Sequence, residues 1–525
     1  MIPRLGRQTL VAASLVTIGT NVAGRVLGYA REAMIAGYFG TSATLDIFLL
    51  AFTIPELITF VAFAAIPTAL IPSLKKFSSD QSADDGIILS TSLVLFLLLF
   101  GGIAALLYLF RGPILYGFAP ELSAEGRQTG ERLLAIVSPF VFFRGMEAFF
   151  RSWLFERKQF IVPAISGMIV NVVLLVTLVV MYDRFRVDAL AYGWLIASAM
   201  LAAFNGYFVL KAVRPSLFSR LRFEFVRPLL MFTLAVSIVE GIALLYPVVD
   251  RYLAAAFLGE GQIAALRYAT FLIHIPTGMF IVAFTQASFP WISDLSVSSE
   301  RDKLQRLYTR SVRLILFTMG FVAATTLMFP REFVRLAFER GAFDARSLDL
   351  TSSPVFYLAL GIAFYSVYLF QIKFYYARMT LRRLGVILTV MLVLKIVLSL
   401  ALVQPMQQNG LALATAITWL VGAVVMTADL GKTLRISLDA LISSAGYKIG
   451  LSIAVLFIFL WGTARLWTGG PGETLTVLLG RMSVIVIAGG ALYCGVAHFL
   501  RLEELGQLWR SLFGGGKPQA PAVPE

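Results

Sequence analysis

Residues 24–58 read GRVLGYAREAMIAGYFGTSATLDIFLLAFTIPELI, two apolar runs joined by a short polar break, with Arg25, Arg31, Asp46 and Glu56 set inside them. Runs this apolar suit hydrocarbon, and each extends to about 20 residues or more, the length a helix needs to cross roughly 30 Å of bilayer core. A charge at mid-bilayer costs roughly 2.5–3.5 kcal/mol on insertion scales, so charged residues that persist there face water, a ligand or a partner. The stretch therefore points to membrane-spanning helices and to a polar site within them.

The rest of the 525-residue chain repeats the pattern, at 58% hydrophobic and 14% charged residues. Splitting its apolar runs at polar breaks predicts about fourteen spans, at 8–36, 43–72, 86–111, 128–156, 159–182, 188–212, 225–257, 262–293, 308–330, 350–378, 384–404, 409–430, 446–467 and 475–500. A membrane β-barrel would instead show alternating segments of about 10 residues. The expected fold class is an all-α polytopic membrane protein. The first span runs past signal-peptide length with no small-residue cleavage site, so it reads as retained helix.

Loops after even spans carry the cations: Lys75 and Lys76, Arg157 and Lys158, Lys211, Arg214, Arg220, Arg222 and Arg227, then Arg301, Lys303, Arg306, Arg310 and Arg313, then Arg382 and Arg383. The intervening loops are uncharged or balanced. The positive-inside rule then puts both termini in the cytoplasm. The net charge of +14 is spread over these loops, so nucleic-acid binding is not expected. One cysteine, Cys494, and two histidines argue against an internal disulfide and a structural zinc site. No P-loop, HExxH or nucleotide-binding glycine fingerprint occurs, so neither ATP-driven transport nor enzymatic chemistry is expected, and no cofactor is called for.

An internal repeat supports a transporter. FGTSATLDIFLLAFTIPELI and IPSL correspond in relative position to LGEGQIAALRYATFLIHIPTGM and FPWI, offset by about 220 residues. Six spans separate the copies, which preserves orientation. The expected organisation is an N-lobe at 1–222, a C-lobe at 223–440, two extra helices at 441–505 and a cytoplasmic tail at 506–525.

The intramembrane ionisable residues are Arg25, Arg31, Asp46, Glu56, Arg144, Glu147, Glu240, Asp250, Arg251, Arg267, His274, Lys373 and Lys395. Most lie at the front of each lobe, as a central water-filled cavity would require. Arg25 and Arg31 are six residues apart, about 120° off a shared helical face. A bend at Gly24 and Gly28 would turn both inward; alternatively Arg31 snorkels and Arg25 pairs with Asp46 or Glu56. Guanidinium forks bind phosphate bidentately, so the functional alternative is an anionic, diphosphate-bearing substrate. Asp250 and Arg251 point in different directions; Arg267 and His274, seven apart, share a face. His274 either carries a proton or hydrogen-bonds a neighbouring helix. Lys395 either pairs with an acid such as Asp250 or stands in for a bound cation. Pro55, Pro67, Pro72, Pro139, Pro247, Pro276 and Pro290 would bend the spans that hold them.

The opening stretch followed by ALIPSL resembles the start of the MurJ/MviN family of lipid II flippases, within the MOP (multidrug, oligosaccharidyl-lipid, polysaccharide) exporter superfamily. The likeness continues through FIVPAISGMIVN, VVDRYLAAAFLGEGQIAALRYATFLIHIPTGMF, FERGAFDARSL, FYYARMTLRRLGVILTV and NGLALATAIT, covering nearly the whole chain in order. The resemblance implies fourteen helices in two lobes around a cationic cavity. It implies a flippase that carries a polyprenyl-diphosphate-linked saccharide, first the peptidoglycan precursor lipid II, from the inner to the outer leaflet of the bacterial cytoplasmic membrane by alternating access. The family's cavity arginines map onto Arg25 and Arg31, its second-helix acid onto Asp46, and its lipid-tail groove onto 446–500.

Two departures stand out: Thr59 and Phe60 occupy positions where the family usually carries an arginine pair, and Thr270 and Phe271 those where it usually carries an Asp-Arg pair. On this reading Arg25 and Arg31 grip the diphosphate, Asp46 and Glu56 organise them, and Arg251, Arg267 and His274 complete the substrate site. Asp250 and Lys395 couple transport to membrane potential, protons or sodium. Partners are the lipid-linked oligosaccharide, the bilayer and envelope-synthesis enzymes. A flippase for another lipid-linked polysaccharide, and a transport-dead scaffold for envelope biosynthesis, are the alternatives.

Overall fold

The computed structural model describes residues 10–79, 85–157, 159–213, 226–298, 300–434, 444–467, 469 and 473–506, and no strand occurs among them. The helices are α1 (Leu10–Phe39), α2 (Ala43–Ser79), α3 (Asp85–Leu109), α4 (Arg111–Phe118), α5 (Ala124–Glu156), α6 (Ile161–Phe185), α7 (Asp188–Ala212) and α8 (Val226–Phe257). There follow α9 (Gln262–Val297), α10 (Arg301–Met328), α11 (Pro330–Phe338), α12 (Ala345–Ala359), α13 (Ile362–Ala377), α14 (Leu381–Met406), α15 (Gln408–Leu434), α16 (Ser444–Leu466) and α17 (Leu475–Phe499). Lys158 and Arg214, Arg220 and Arg222 lie outside the described residues, as does the tail beyond Gly506; Lys75, Lys76, Arg227 and Glu240 lie outside the described side chains.

Among the described residues eleven helices are long and apolar enough to cross a membrane, and α12 with α13 forms a bent pair that makes a twelfth. Helices α1 and α8, of 30 and 32 residues, also have the length to cross, so the architecture is compatible with fourteen crossings. The outer faces agree: Val386, Val390, Val393 and Val397 of α14, spaced at helical periodicity, are all more than half exposed. Such a stripe belongs against lipid. This is a multi-pass membrane protein.

The expected span 350–378 is two helices bent by 56° about Leu360 and Gly361. Gly361 lies against Ala416 and Trp419 of α15, where a Cβ would come within 2.9 Å of Ala416 Cα, so only glycine fits at the joint. Two segments expected as loop or span end, RGPILYGF and PREFVRLAF, form the short helices α4 and α11. By contrast α2 runs unbroken through Pro55, Pro67 and Pro72, and α9 through Pro276 and Pro290.

The chain divides into two compact units, Met1–Ala256 and Phe257–Glu525. In the first, α5 is the central element and packs on α2, α3 and α7. Its buried face sets small residues, Ser138, Gly145, Ala148 and Ser152, among larger ones: Phe52 and Trp194 pack on Phe140, Phe96 packs on Phe149, and Phe100 lies against Gly145. Small residues let helix backbones approach when lipid supplies no hydrophobic drive between them.

In the second unit, Gln371 of α13 donates to Tyr308 Oη of α10 at 2.7 Å, and to Thr427 Oγ1 and the Ala423 carbonyl of α15 at 2.7 and 3.1 Å. Helices α16 and α17 pack on α10, where Tyr493 stacks on Phe317 at 4.7 Å and donates to its carbonyl at 2.9 Å. The link between them is pinned by Arg481, whose fork donates to both Glu473 oxygens at 2.8 and 3.0 Å. Those hydrogen bonds hold the Glu473 carboxyl below the usual carboxylate range.

A methyl group on Gly145 would run into the Phe100 ring. Overpacking of this kind costs typically about 1–3 kcal/mol. Gly145→Ala is expected to lower the melting temperature of the detergent-solubilised protein, and Phe100→Leu on that background to restore part of the loss. An unchanged melting temperature in Gly145→Ala would contradict the close approach of α3 and α5.

Candidate substrate-binding site

Arg31 is the most fully engaged of the arginines expected in the site. Its Nη1 donates to Asn171 Oδ1 of α6 at 2.8 Å and its Nη2 to Glu32 Oε1 at 2.8 Å. Its guanidinium lies 5.3 Å from the Trp194 ring centroid on α7. Asn171 also donates to the Gly24 carbonyl at 3.1 Å, tying α6 to α1 one turn below Gly28. Glycines 24 and 28 thus serve as the contact face for Met168 and Asn171 rather than as a bend, and α1 is continuous across them. Glu32 is buried, so the ion pair with Arg31 is shielded from water and holds the guanidinium in one orientation.

Arg25 differs. It is exposed and makes no hydrogen bond or ion pair among the described residues. The two arginines therefore do not share a face: one is oriented in advance, the other open to whatever lies beside α1.

Asp46 is buried in the first turn of α2, where the positive end of the helix dipole favours a carboxylate. Glu56 does not organise the α1 arginines, contrary to expectation. Its carboxylate is held by Arg251 of α8 at 2.8 Å, and the same fork donates to Thr53 Oγ1 at 3.1 Å. The reason is position: Glu56 lies ten residues beyond Asp46, about 15 Å along α2, and there faces α8. Asp250 is half-buried beside Arg251.

In the second unit, Arg267 is half-buried on α9 and His274, seven residues on, is exposed. The His274 ring stacks on Tyr365 of α13 at 5.3 Å, and Tyr365 stacks on Trp419 of α15 at 4.4 Å. Lys395 is completely buried; its Nζ donates to the Leu411 carbonyl at 3.0 Å and to Thr415 Oγ1 at 2.6 Å, both on α15. Lys373 lies over the Tyr376 ring at 5.5 Å.

The partners Glu32, Asn171, Thr53 and Trp194 were not among the expected site residues. Two left a trace in sequence: Glu32 adjoins Arg31, and Asn171 is an amide inside an apolar run, where an unsatisfied polar group is costly.

Comparison of folds sets these helices beside solved membrane transporters. A MATE family transporter of the MOP superfamily, solved in an inward-facing conformation, matches with a TM-score of 0.66 over 80% of this chain and 98% of its own, at 14% identity. A lipid II flippase MurJ solved in an inward closed conformation matches at 0.77 over 91% and 98%, at 20% identity. The fold is the one these two transporters share.

The family model described as lipid II flippase MurJ matches residues 35–499, and the chain belongs to that family. Among curated relatives, the probable lipid II flippase MurJ of Rhizobium tropici is 25% identical over 96% of this chain and 97% of its own length. The lipid II flippase MurJ of Burkholderia cenocepacia is 23% identical over 68% and 71%.

The Glu56 and Arg251 pair gives a direct check on the geometry. Glu56→Gln and Arg251→Met are each expected to destabilise the protein, and the double variant to be less destabilised than the sum, with a coupling of about 0.5–3 kcal/mol. Unfolding midpoints of the four proteins in one detergent measure this. Strict additivity would mean that α2 and α8 are not joined there.

Proposed function

We propose that this protein flips a polyprenyl-diphosphate-linked saccharide, with lipid II as its first substrate, from the inner to the outer leaflet of the bacterial cytoplasmic membrane by alternating access. One observation carries the reading: Arg31 is held by Asn171 and Glu32 within a span, and Arg25 stands on the same helix with no protein partner among the described residues. A preset fork and an open one suit a diphosphate, whose two phosphoryl groups offer oxygens to both. The family membership and the flippase names of the relatives support lipid II as the saccharide carrier.

In this reading Asp46 moderates the cationic field, and Arg251, Arg267 and His274 contact the glycan or its phosphates in other stages of the cycle. The tail lies along α16 and α17, whose outward residues Phe457, Ile458, Trp461, Val484 and Ile487 are exposed. No bond in the substrate is made or broken, so no catalytic residue or cofactor is assigned. Asp250 and Lys395 couple the cycle to membrane potential, protons or sodium. Both termini are cytoplasmic, the lobes are 1–222 and 223–440, and envelope-synthesis enzymes supply and consume the substrate. A second reading, transport of a different lipid-linked polysaccharide, is favoured by Thr59, Phe60, Thr270 and Phe271, which replace charge with neutral side chains.

The test is flipping of labelled lipid II in proteoliposomes. A charge-assisted hydrogen bond is worth about 1.5–3 kcal/mol, so Arg31→Ala is expected to slow flipping roughly 10- to 100-fold with folding retained. Arg31→Lys should also be impaired, because a point charge does not reproduce the fork. Flipping at the wild-type rate in Arg31→Ala would contradict the proposed grip.

A further inference from the structure

A second cationic cluster lies on α5, away from the arginines of α1. Arg144, Glu147 and Arg151, at spacings of three and four residues, fall on one helical face. Glu147 is buried and ion-pairs with Arg144. Glu147 also lies within electrostatic range of Arg151, so two arginines share one carboxylate and the cluster keeps an excess of one positive charge.

Arg151, half-buried, forms no ion pair among the described residues. Its guanidinium instead lies 5.7 Å from the ring centroid of Phe63 on α2 and 5.1 Å from that of Phe155. Arg144 lies over the same Phe63 ring at 4.2 Å. One phenylalanine thus gathers two guanidinium groups that would otherwise repel each other. A ring stacked on a guanidinium does not engage its N–H donors, and those that Glu147 does not take match the oxygens of a phosphate. An excess positive charge within a spanning helix calls for a function or an anion.

The place of the cluster is informative. Phe63 follows Thr59 and Phe60 by one turn of α2, and Phe60 is 54% exposed. Cations absent from α2 at those two positions are therefore supplied from α5, across the tightly packed α2 and α5 contact. With the termini cytoplasmic, α5 ends on the cytoplasmic side, and Arg151 lies five residues before its last residue, Glu156.

We propose that Arg144 and Arg151 form a second phosphate-binding site, at the leaflet where substrate is loaded, which takes the diphosphate of the lipid-linked substrate. The proposal rests on the flippase reading above and deepens it. Both guanidinium groups lie close to one ring, so a single diphosphate reaches both, and Glu147 keeps Arg144 from collapsing onto another acceptor. The recognised chemistry is a phosphate carried on a lipid, and its source is either a prenyl diphosphate or an anionic phospholipid; the site geometry favours the diphosphate because it presents two forks.

The experiment is equilibrium binding of undecaprenyl diphosphate, and separately of phosphatidylglycerol, to the purified full-length protein. Wild type is compared with Arg151→Gln, with Arg144→Gln/Glu147→Gln and with Arg31→Ala. The paired variant removes charge without stranding Glu147, and melting temperature and monodispersity confirm that each protein is folded. Arg151→Gln is expected to weaken undecaprenyl diphosphate binding about tenfold while phosphatidylglycerol binding changes little. Wild-type affinity for undecaprenyl diphosphate in both α5 variants, alongside a loss in Arg31→Ala, would overturn this site and leave the α1 grip standing. A loss confined to phosphatidylglycerol would overturn it too, by making the cluster a phospholipid contact. No binding of undecaprenyl diphosphate by wild type would overturn this site and the flippase reading together.

Discussion

A guanidinium inside a bilayer must be met by something, and the way Arg31 is met governs the first unit. Water cannot serve within hydrocarbon, so its two Nη groups donate to an amide on α6 and a carboxylate on its own helix, while the indole of Trp194 lies over the guanidinium. Three helices are fastened by that one side chain. The same logic places Arg251 between Glu56 and Thr53, Arg144 against Glu147, and Lys395 on two oxygens of α15. The rule is relaxed at Arg25 and Arg151, which form no ion pair among the described residues.

Fastening of this kind needs helices that come close. Gly145, Ala148 and Ser152 on α5 and Gly361 at the joint of α12 and α13 remove the side-chain bulk that would hold neighbours apart. Dispersion between tightly fitted surfaces, rather than exclusion of water, then holds the bundle. The polar contacts add position more than stability, since a buried pair contributes little net energy yet is costly to break. A transporter that changes conformation benefits from that division, because fixed side chains travel with rigid helices.

Much of this architecture was legible in sequence, because a bilayer imposes a length on every span. The spans and the absence of strands among the described residues follow from that constraint. The pairing of charges was not legible. Glu56 was expected beside the α1 arginines and instead faces Arg251, nearly two hundred residues away, because which face of α2 meets which helix is a property of packing. Asn171 and Phe63 escaped for a related reason: an amide or a ring in an apolar run announces its chemistry but not its neighbour. The bend at Gly361 was hidden as well, since an unbroken apolar stretch looks the same whether the helix within it is straight or bent by 56°.

The central claim is that the arginines of α1 grip a lipid-borne diphosphate during transport. Its most direct test is replacement in a cell whose own lipid II flippase can be depleted, with lipid II at the outer leaflet as the readout. The account predicts that the wild-type chain restores outward lipid II and growth, and that Arg25→Ala/Arg31→Ala, present in the membrane at the same level, restores neither. Full restoration by the double variant would contradict it.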